Sequence, residues 1–435
     1  MVEINPFQGI VYNKEKIKKL DDVMSPPYDI ISPRMQDELY QKSPFNFVRL
    51  ILGKQNPDDD DNDNRYTRAK ETFEKWIDES VFISSDKPAI FPYKIEYKLD
   101  GKSKKMNGFF VLLKIDPEYK QVLAHERTLS KPKADRLNLM RQCKSNLEPI
   151  QLLYIDENDL IRKNIDSSIN NSIISVKGYD GFKHTLYKIE DENVIDKVVN
   201  QLKDKILFIA DGHHRYQTAI NFANEMREKT GNRDQNTPFN YRMVILANMF
   251  DEGLSILPTH RLIKMKDINR KEIISKISPY FEIKQHKFDG KQNTPEILSG
   301  NIIKAIKTVK AHKFAMYFKD AYYILKLKDE KFMDNFAADR SKTWRTLDVS
   351  ILHKIILEHV MGIDESNLED HVKYTRSDEE AIGFVKDGQY DFSFLMNPTK
   401  IEELRAIAEA GEHMPQKSTY FLPKMLSGLV IYKMK

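Results

Sequence analysis

The sequence predicts an α/β protein with mixed sheets, of the α+β kind, and one stretch contributes most to that prediction. Residues 206–210 are five consecutive apolar residues, which is typical of a short buried strand. Asp211 and Gly212 then interrupt the run, and both residues favour turns. Apolar residues at helical spacing follow until Gly231, which predicts an amphipathic helix with a glycine stop.

A second observation predicts antiparallel pairing elsewhere in the chain. Asp100-Gly101 separates two β-like stretches, 89–99 and 106–115, and such a dipeptide between apolar runs is a strong hairpin signal. The other predicted strands, in chain order, are 46–52, 182–189, 243–248, 313–318, 322–327 and 390–396. Further helices are predicted at 66–77, around 137–140 and 273–277, from 347 onward, and through 404–408.

A chain of 435 residues is expected to form roughly two to four domains or lobes. We predict an N-terminal α/β lobe over residues 1–115, a core lobe over 116–265 and a C-terminal α/β lobe over 266–435. An insertion near 156–204 is expected inside the core lobe. Neither an internal repeat nor a low-complexity linker separates these lobes, so they are expected to pack together.

Composition excludes several classes of protein. The net charge of +4 comes from mixed Lys/Arg and Asp/Glu residues, which argues against a nucleic-acid partner. The single cysteine, Cys143, excludes an internal disulfide and a cysteine-cluster metal site. With neither a signal peptide nor an apolar run of roughly 18 residues, the protein is predicted to be cytoplasmic and not to bind a membrane. A homodimer is left open.

The strand–turn–helix unit predicts an anion site. The first turn of a helix presents backbone N–H groups without intrahelical acceptors, and the helix dipole adds positive character there. Gly212 would let a ligand approach the backbone, and Arg215 offers a planar fork that matches phosphate oxygens. His213, His214 and Arg215 are unfavourable for helix stability at this end, so an anionic ligand would explain their presence. The alternative is that the histidines only pack or bond locally.

Four further stretches are candidates, each with a purely structural alternative. The prolines before Tyr28 and Asp29 make a rigid loop, which could also face a substrate. The charged stretch 125–136 is either a solvated face or part of the site. His260 and Arg261 could close over phosphates or cap a strand end. Lys417, Ser418 and Thr419 lie in a tail that is either a docked arm or a phosphate or carboxylate contact.

Several motifs resemble those of one prokaryotic family. Residues 210–216 (Ala-Asp-Gly-His-His-Arg-Tyr) are similar to the signature of DUF1015, a family of unknown function. Other stretches that resemble it are Pro6-Phe7 with Gly9 and Tyr12, then 25–29, 125–128, 257–261 and 414–421. The resemblance spans nearly the whole chain, but the family name states no activity.

A more distant resemblance does imply an activity. Asp-Gly-His-His-Arg is similar to the phosphate-binding box of free-serine kinases, which share a small α/β fold with ParB-like domains and sulfiredoxin. The resemblance implies a ParB/sulfiredoxin-like core lobe that binds nucleotide through residues 212–215, with Glu126 of His125-Glu126 as catalytic base. Roughly fifty residues separate Tyr154 from the box, where ParB-like domains have a short connection. Additional nucleotide contacts are assigned to Arg127, Thr128, Lys133 and Arg136.

These observations favour a small-molecule kinase. It would transfer a phosphoryl group from ATP or ADP to the hydroxyl of a free metabolite, with L-serine the first choice. Mg²⁺ would bridge the phosphates, and Asp211 would hold the metal through water. The alternative is a ParB-like protein in which nucleotide binding switches conformation without catalysis. A histidine-based metal hydrolase is the weakest hypothesis, because adjacent histidines on a helix diverge by about 100° and no metal-binding spacing occurs.

Overall fold

The structure, a computed structural model, describes residues 1–126, 130–266, 269–288, 294–308 and 311–434. Its strands are β1 Ile4–Asn5, β2 Ile10–Tyr12, β3 Phe82–Ser84, β4 Phe91–Leu99, β5 Lys102–Lys114, β6 Val122–Leu123, β7 Ser145–Asn146, β8 Ile150–Tyr154, β9 Ile174–Lys177, β10 Lys183–Leu186, β11 Leu207–Asp211, β12 Tyr241–Asn248, β13 Ser255–Ile256, β14 His260–Ile263, β15 Phe281–Lys287, β16 Lys313–Tyr317, β17 Ala321–Leu327, β18 Val372–Thr375, β19 Phe392–Met396, β20 Phe421–Leu422 and β21 Tyr432–Lys433.

The α-helices are α1 Pro33–Lys42, α2 Val48–Ile51, α3 Arg65–Asp78, α4 Ser130–Cys143, α5 Leu160–Asp166, α6 Glu192–Leu202, α7 His213–Thr230, α8 Arg270–Ile277, α9 Pro295–Ile306, α10 Met333–Phe336, α11 Lys342–Arg345, α12 Asp348–Ile351, α13 Leu368–His371, α14 Asp378–Lys386 and α15 Ile401–Glu409. A π-helical segment, Leu352–Val360, continues α12. Within the described ranges, no helix is both long enough and apolar enough to cross a bilayer.

The chain forms two compact units. The first contains Met1–Ala124, Thr128–Ser255 and Pro423–Lys435, and the second contains His125–Arg127 and Ile256–Leu422. These units differ from the three predicted lobes because β4 and β5 of the N-terminal stretch join the same sheet as β8, β11 and β12. The final residues also return to the first unit, where β21 pairs with β7. Such pairings link segments that are distant in sequence, so local patterns did not reveal them.

The first unit is built on a mixed sheet. In the described residues nine strands join it, in the order β6-β11-β8-β12-β5-β4-β10-β9, with β1 beside β5. The pairs β6–β11 and β8–β12 are parallel, whereas the other pairs are antiparallel. One face packs Leu207, Ile209 and Val244 against Tyr216 and Ile220 of α7. The predicted α/β class with mixed sheets is therefore confirmed.

The hairpin between β4 and β5 matches its sequence signal. Asp100 and Gly101 have φ values of 51° and 75°, the left-handed conformation that a two-residue type I′ turn needs at both central positions. Beyond it, residues 156–204, predicted as an insertion, contain α5, β9, β10 and α6. β10 pairs with β4, so this segment extends the sheet.

One predicted strand is wrong. Residues 46–52 contain the short helix α2, not a strand. Asn46 fixes the chain just before α2. Its side chain accepts a hydrogen bond from the Val48 N–H at 3.0 Å and donates to the Asp22 and Met24 carbonyls. A short apolar run in a fully buried place does not distinguish strand from helix by its periodicity.

The second unit has its own antiparallel sheet. Six strands pair in the described part of this unit, in the order β15-β17-β16-β19-β14-β18. Helices α9 and α14 pack on one face and share a core with Ala315, Tyr317 and Leu395. The predicted strands at 313–318, 322–327 and 390–396 correspond to β16, β17 and β19. All three lie within largely apolar runs of the sequence.

Candidate functional site

The predicted box lies at the end of a bulged strand. β11 pairs with β8 through Phe208–Leu153 and Ile209–Leu152, but the next pair is Asp211–Gln151, so Ala210 is an extra residue. A bulge of this kind bends a strand and redirects the side chain that follows. Gly212 then takes a left-handed conformation with φ 96° and ψ 29°, and α7 begins at His213. The strand–turn–helix prediction is confirmed.

The first turn of α7 presents backbone N–H groups that have no hydrogen-bond acceptor within the helix. The first helical hydrogen bond runs from the Tyr216 N–H to the Gly212 carbonyl at 2.9 Å, and no side chain caps the N-terminus. The N–H groups before Tyr216 therefore have no acceptor within the helix. Tyr216, fully buried, fixes the helix by accepting from the Asp116 N–H at 2.9 Å. The helix end at Gly231, with φ 66°, is as predicted.

Asp211 lies between two buried cations. Arg215 donates to its Oδ2 at 2.5 Å, and Lys424 donates to its Oδ1. Both cationic side chains are 8% exposed, against 20% for Asp211. Burial by itself would raise the pKa of Asp211, but Lys424 and Arg215 hold that pKa well below its usual range. The carboxylate is therefore ionised at neutral pH and fixes the Arg215 guanidinium beside the helix N-terminus.

We expect Gly212→Ala to lower the free energy of unfolding and to disturb the position of Arg215 in the 210–216 motif. A Cβ at this position would lie 3.0 Å from the Arg215 Nε, and φ 96° is strained for any residue with a side chain. Such strain costs about 1–3 kcal/mol, measurable by denaturant unfolding. Gly231→Ala is the matched control, since Gly231 also has positive φ but nothing within 4 Å. Equal losses in the two variants would mean that the Arg215 contact contributes nothing.

A second cluster of polar and charged side chains surrounds Glu148. Its Oε1 accepts from the Tyr28 N–H at 3.1 Å and from the Ser427 hydroxyl at 3.1 Å, and its Oε2 accepts from Arg136 at 3.3 Å. The Arg136 guanidinium lies 3.9 Å from the centre of the Tyr28 ring. Glu148 thus ties the predicted loop at 25–29 to α4 and to the C-terminal tail. Burial raises the pKa of Tyr28 well above its ordinary value, so this phenol stays neutral.

The other residues assigned from the sequence to this unit lie as follows. His213 is buried, and His214 and Lys133 are half-buried. The Lys133 carbonyl accepts from the Thr218 hydroxyl of α7 at 3.4 Å. Asp29 is exposed. Arg127 and Thr128 lie outside the described residues.

The remaining predicted residues belong to the second unit. His125 is buried and its Nε2 lies 3.0 Å from the Thr419 Oγ1, which in turn donates to Glu126 at 3.3 Å. The backbone of Glu126 also forms an isolated parallel β-bridge with Met414. Ser418 donates to the Pro415 carbonyl, and Lys417 takes a positive φ of 57°. The structure thus brings His125, Glu126 and Thr419 together.

His260 and Arg261 lie in the second unit's sheet. His260 Nε2 is 2.6 Å from Asp378, and Nδ1 accepts from the Met396 N–H. Arg261 is 1% exposed and donates to the Thr259 carbonyl and to the Met396 sulfur. Burial lowers the pKa of Arg261 to about 10. Both side chains have partners that order β14, and their part in substrate binding stays a prediction.

Several residues of the first unit, Glu148 among them, were not singled out from the sequence. Arg242 and Gln151 are buried polar residues in otherwise apolar strands, a signal that could have been used. Gln151 is the cross-strand neighbour of Asp211, and neither of its amide atoms has a hydrogen-bond partner among the described residues. Lys424 and Ser427 lie in the tail and carry no local signal.

The sequence assigned Asp211 to Mg²⁺ through a water molecule, and that assignment stays a prediction. Each Asp211 oxygen accepts a hydrogen bond from Lys424 or Arg215, and these two positive charges disfavour direct contact with a divalent cation. Among the described side chains, no group of three His, Cys, Asp or Glu residues is arranged to hold a metal. Mg²⁺ held with the nucleotide stays a prediction of the sequence.

Comparison with known proteins identifies the family. A family model described as "Protein of unknown function (DUF1015)" matches residues 4–350. The chain belongs to the DUF1015 family. This confirms the family predicted from the box at 210–216 and from the shorter motifs around it. No curated protein matches the sequence significantly.

Solved structures offer only distant likenesses to this DUF1015 chain. A free serine kinase in complex with AMP is 14% identical, with a TM-score of 0.34, and the match covers 75% of this chain and 91% of that one. A mutant free serine kinase in complex with ADP is 12% identical, with a TM-score of 0.34 and coverage of 72% and 87%. SbnI with C-terminal truncation from Staphylococcus aureus is 11% identical, with a TM-score of 0.32 and coverage of 71% and 83%. Likenesses this distant do not establish what the DUF1015 chain binds.

Proposed function

We propose that this chain is a small-molecule kinase. It binds ATP or ADP through phosphates placed at the N-terminus of α7 and phosphorylates the hydroxyl of a free metabolite, with L-serine the first candidate. The observation that carries the proposal is the bulged strand that ends in Asp211 and the left-handed Gly212, from which an 18-residue helix begins. Backbone N–H groups and the helix dipole favour an anion there.

Two side chains strengthen this anion site. Arg215 is held rigidly by Asp211 and by the Pro149 carbonyl, so its position is set before any ligand arrives. Its positive charge is secure, since Asp211 and Glu148 raise the pKa of Arg215 despite burial. The amide of Gln151 is buried beside Asp211 without a partner among the described residues, which suits a polar ligand group. Preorganised donors of this kind stabilise the charge of a transferring phosphoryl group.

The proposed reaction balances as a phosphoryl transfer. The acceptor hydroxyl oxygen forms a bond to the terminal phosphorus as the bond from that phosphorus to the bridging oxygen breaks. ATP leaves as ADP, or ADP as AMP, and the hydroxyl proton passes to a base. The resemblance to free-serine kinases assigns that base to Glu126, which stays a prediction. Charge stabilisation and positioning supply most of the effect in such transfers.

Phosphorus NMR tests the proposal. Purified protein with Mg²⁺, ATP or ADP and L-serine, among other hydroxylated metabolites, is expected to produce a new phosphomonoester signal. Arg215→Lys keeps the charge but loses the fork that binds Asp211 and Pro149, so ester formation should fall at least about tenfold. Arg141→Lys, an exposed arginine paired with Glu225, is the control and should leave the rate unchanged.

Three outcomes decide between the hypotheses. A new ester that depends on Arg215 supports the kinase and identifies its acceptor. Nucleotide binding without an ester across the panel would instead favour the nucleotide-gated regulatory protein. Absence of nucleotide binding would overturn both proposals.

A further inference from the structure

Three buried arginines of the first unit converge on one turn. Arg242 Nη2 donates to the Glu148 carbonyl at 2.7 Å, Arg215 donates to the Pro149 carbonyl, and Arg136 donates to the Glu148 carboxylate at 3.3 Å. Together with Thr218 they line a cavity of about 20 Å³. The three arginines are only 4–7% exposed, although arginine is almost never fully buried without a counter-charge.

Arg242 has more donors than the protein satisfies. Its Nε and Nη1 are buried and have no hydrogen-bond partner among the described residues. A buried guanidinium donor without a partner costs more than a neutral one, because the charged group has lost its water. In addition to burial, Arg215 and Arg136 lower the pKa of Arg242, to about 9. An acceptor at either nitrogen atom would lower that cost.

The charges around the cavity are not balanced. Three guanidinium groups line it, against the single carboxylate of Glu148. Two other carboxylates that pair with these arginines are shared with further cations: Asp211 lies between Arg215 and Lys424, and Asp135 lies between Arg65 and Arg136. The exposed Asp29 also acts on Arg215 through its charge. The cavity therefore has an excess of positive charge that an anionic group would neutralise.

The volume of the cavity favours a carboxylate over a phosphate. A volume of about 20 Å³ admits one or two water-sized groups, which suits the two oxygens of a carboxylate better than the four of a phosphate. The guanidinium has two edges that match the two oxygens of a carboxylate, one formed by Nη1 with Nη2 and the other by Nε with Nη2. Nη2 of Arg242 carries a second N–H beside the one that it donates to the Glu148 carbonyl, so one edge still offers a pair of donors.

We propose that this cavity receives the carboxylate of the metabolite that the enzyme phosphorylates, with Arg242 as the residue that selects hydroxy acids and hydroxy amino acids. The proposal rests on the proposed kinase function for its acceptor. Arg215, which serves both the cavity and the N-terminus of α7, would then hold the acceptor close to the phosphates. The substrate class follows from this arrangement: a small hydroxylated carboxylate, of which L-serine is one example.

Calorimetric titration of the full-length protein without nucleotide tests the cavity directly. Glycolate and L-serine are compared with glycolamide and L-serinamide, which keep the hydroxyl but lose the negative charge. We expect the carboxylates to bind at least about tenfold more tightly than their amides. Arg242→Met should weaken carboxylate binding about ten- to a hundredfold, since a charge-assisted pair is lost. Arg242→Lys should recover part of it, and Arg141→Met should change nothing.

Four results would overturn the inference: equal affinity for carboxylates and their amides, wild-type binding by Arg242→Met, saturation of the site by inorganic phosphate alone, and no binding of any probe. Denaturant unfolding of Arg242→Met is measured alongside, and binding is compared only per folded molecule. Carboxylate binding that depends on Arg242, without any ester in the NMR assay, would support carboxylate recognition by Arg242 and overturn the kinase function. Esters formed equally from amide acceptors would support the kinase function and overturn carboxylate selection by Arg242.

Discussion

Replacing Asp211 with alanine is expected to lower the free energy of unfolding by about 3 kcal/mol, the largest stability effect in the site. The change leaves Arg215 and Lys424 buried with no shared counter-charge, and breaking a buried pair by removing one partner costs about 3–5 kcal/mol. The lower end applies because 20% of the Asp211 side chain is exposed. Denaturant unfolding of the purified variant measures the loss.

Two comparisons isolate the cause of that loss. Asp196→Ala removes an exposed carboxylate from α6 and should be nearly neutral. Adding Lys424→Met to Asp211→Ala should restore part of the stability, because one of the two orphaned charges is removed. A loss under about 1 kcal/mol in Asp211→Ala would show that solvent or a bound anion already compensates Arg215 and Lys424.

The same contacts predict a dependence on pH. The pKa of Asp211 is lower in the folded protein than its ordinary value of 3.8, so its ionised form stabilises the fold above about pH 4. That contribution is lost as pH falls through the folded pKa. The difference between wild type and Asp211→Ala should therefore shrink as the pH falls below about 4.

Glu126→Gln is expected to reduce turnover by about 10²- to 10⁴-fold, the range that a general base contributes. Glutamine keeps the shape of the side chain and an oxygen that accepts from Thr419, a bond of 3.3 Å in the structure. The fold and nucleotide affinity should therefore be preserved while proton removal is lost. Ester formation followed by phosphorus NMR and nucleotide titration measure the two quantities separately.

The control for this variant is Glu118→Gln, which changes an exposed carboxylate that forms an ion pair with Lys120. Its turnover should match the wild type. Thr419→Val removes the hydroxyl that donates to Glu126 and separates the effect of positioning from that of the carboxylate itself. Unchanged turnover in Glu126→Gln would exclude Glu126 as the base, whatever the outcome for Arg215.

Local chemistry was enough to predict the centre of the candidate site. Five apolar residues, an Asp-Gly break and a helical apolar face predicted β11, the turn and α7, and Asp100-Gly101 predicted the β4–β5 hairpin. In each case the residues that decide the conformation are neighbours in sequence. The strand predicted at 46–52 was wrong because the conformation there depends on Asn46 bonding to carbonyls more than twenty residues away.

The sequence by itself therefore determined the family, the mixed α/β class and the strand–turn–helix unit around Gly212. Only the tertiary structure decided which side chains surround that turn. Lys424 is 213 residues from Asp211, and Ser427 is 279 residues from Glu148. Arg242 of β12 lines the same cavity as Arg136 of α4 and Arg215 of α7. Periodicity reports only contacts within a turn or along a strand, whereas these charges meet because distant strands pair in one sheet.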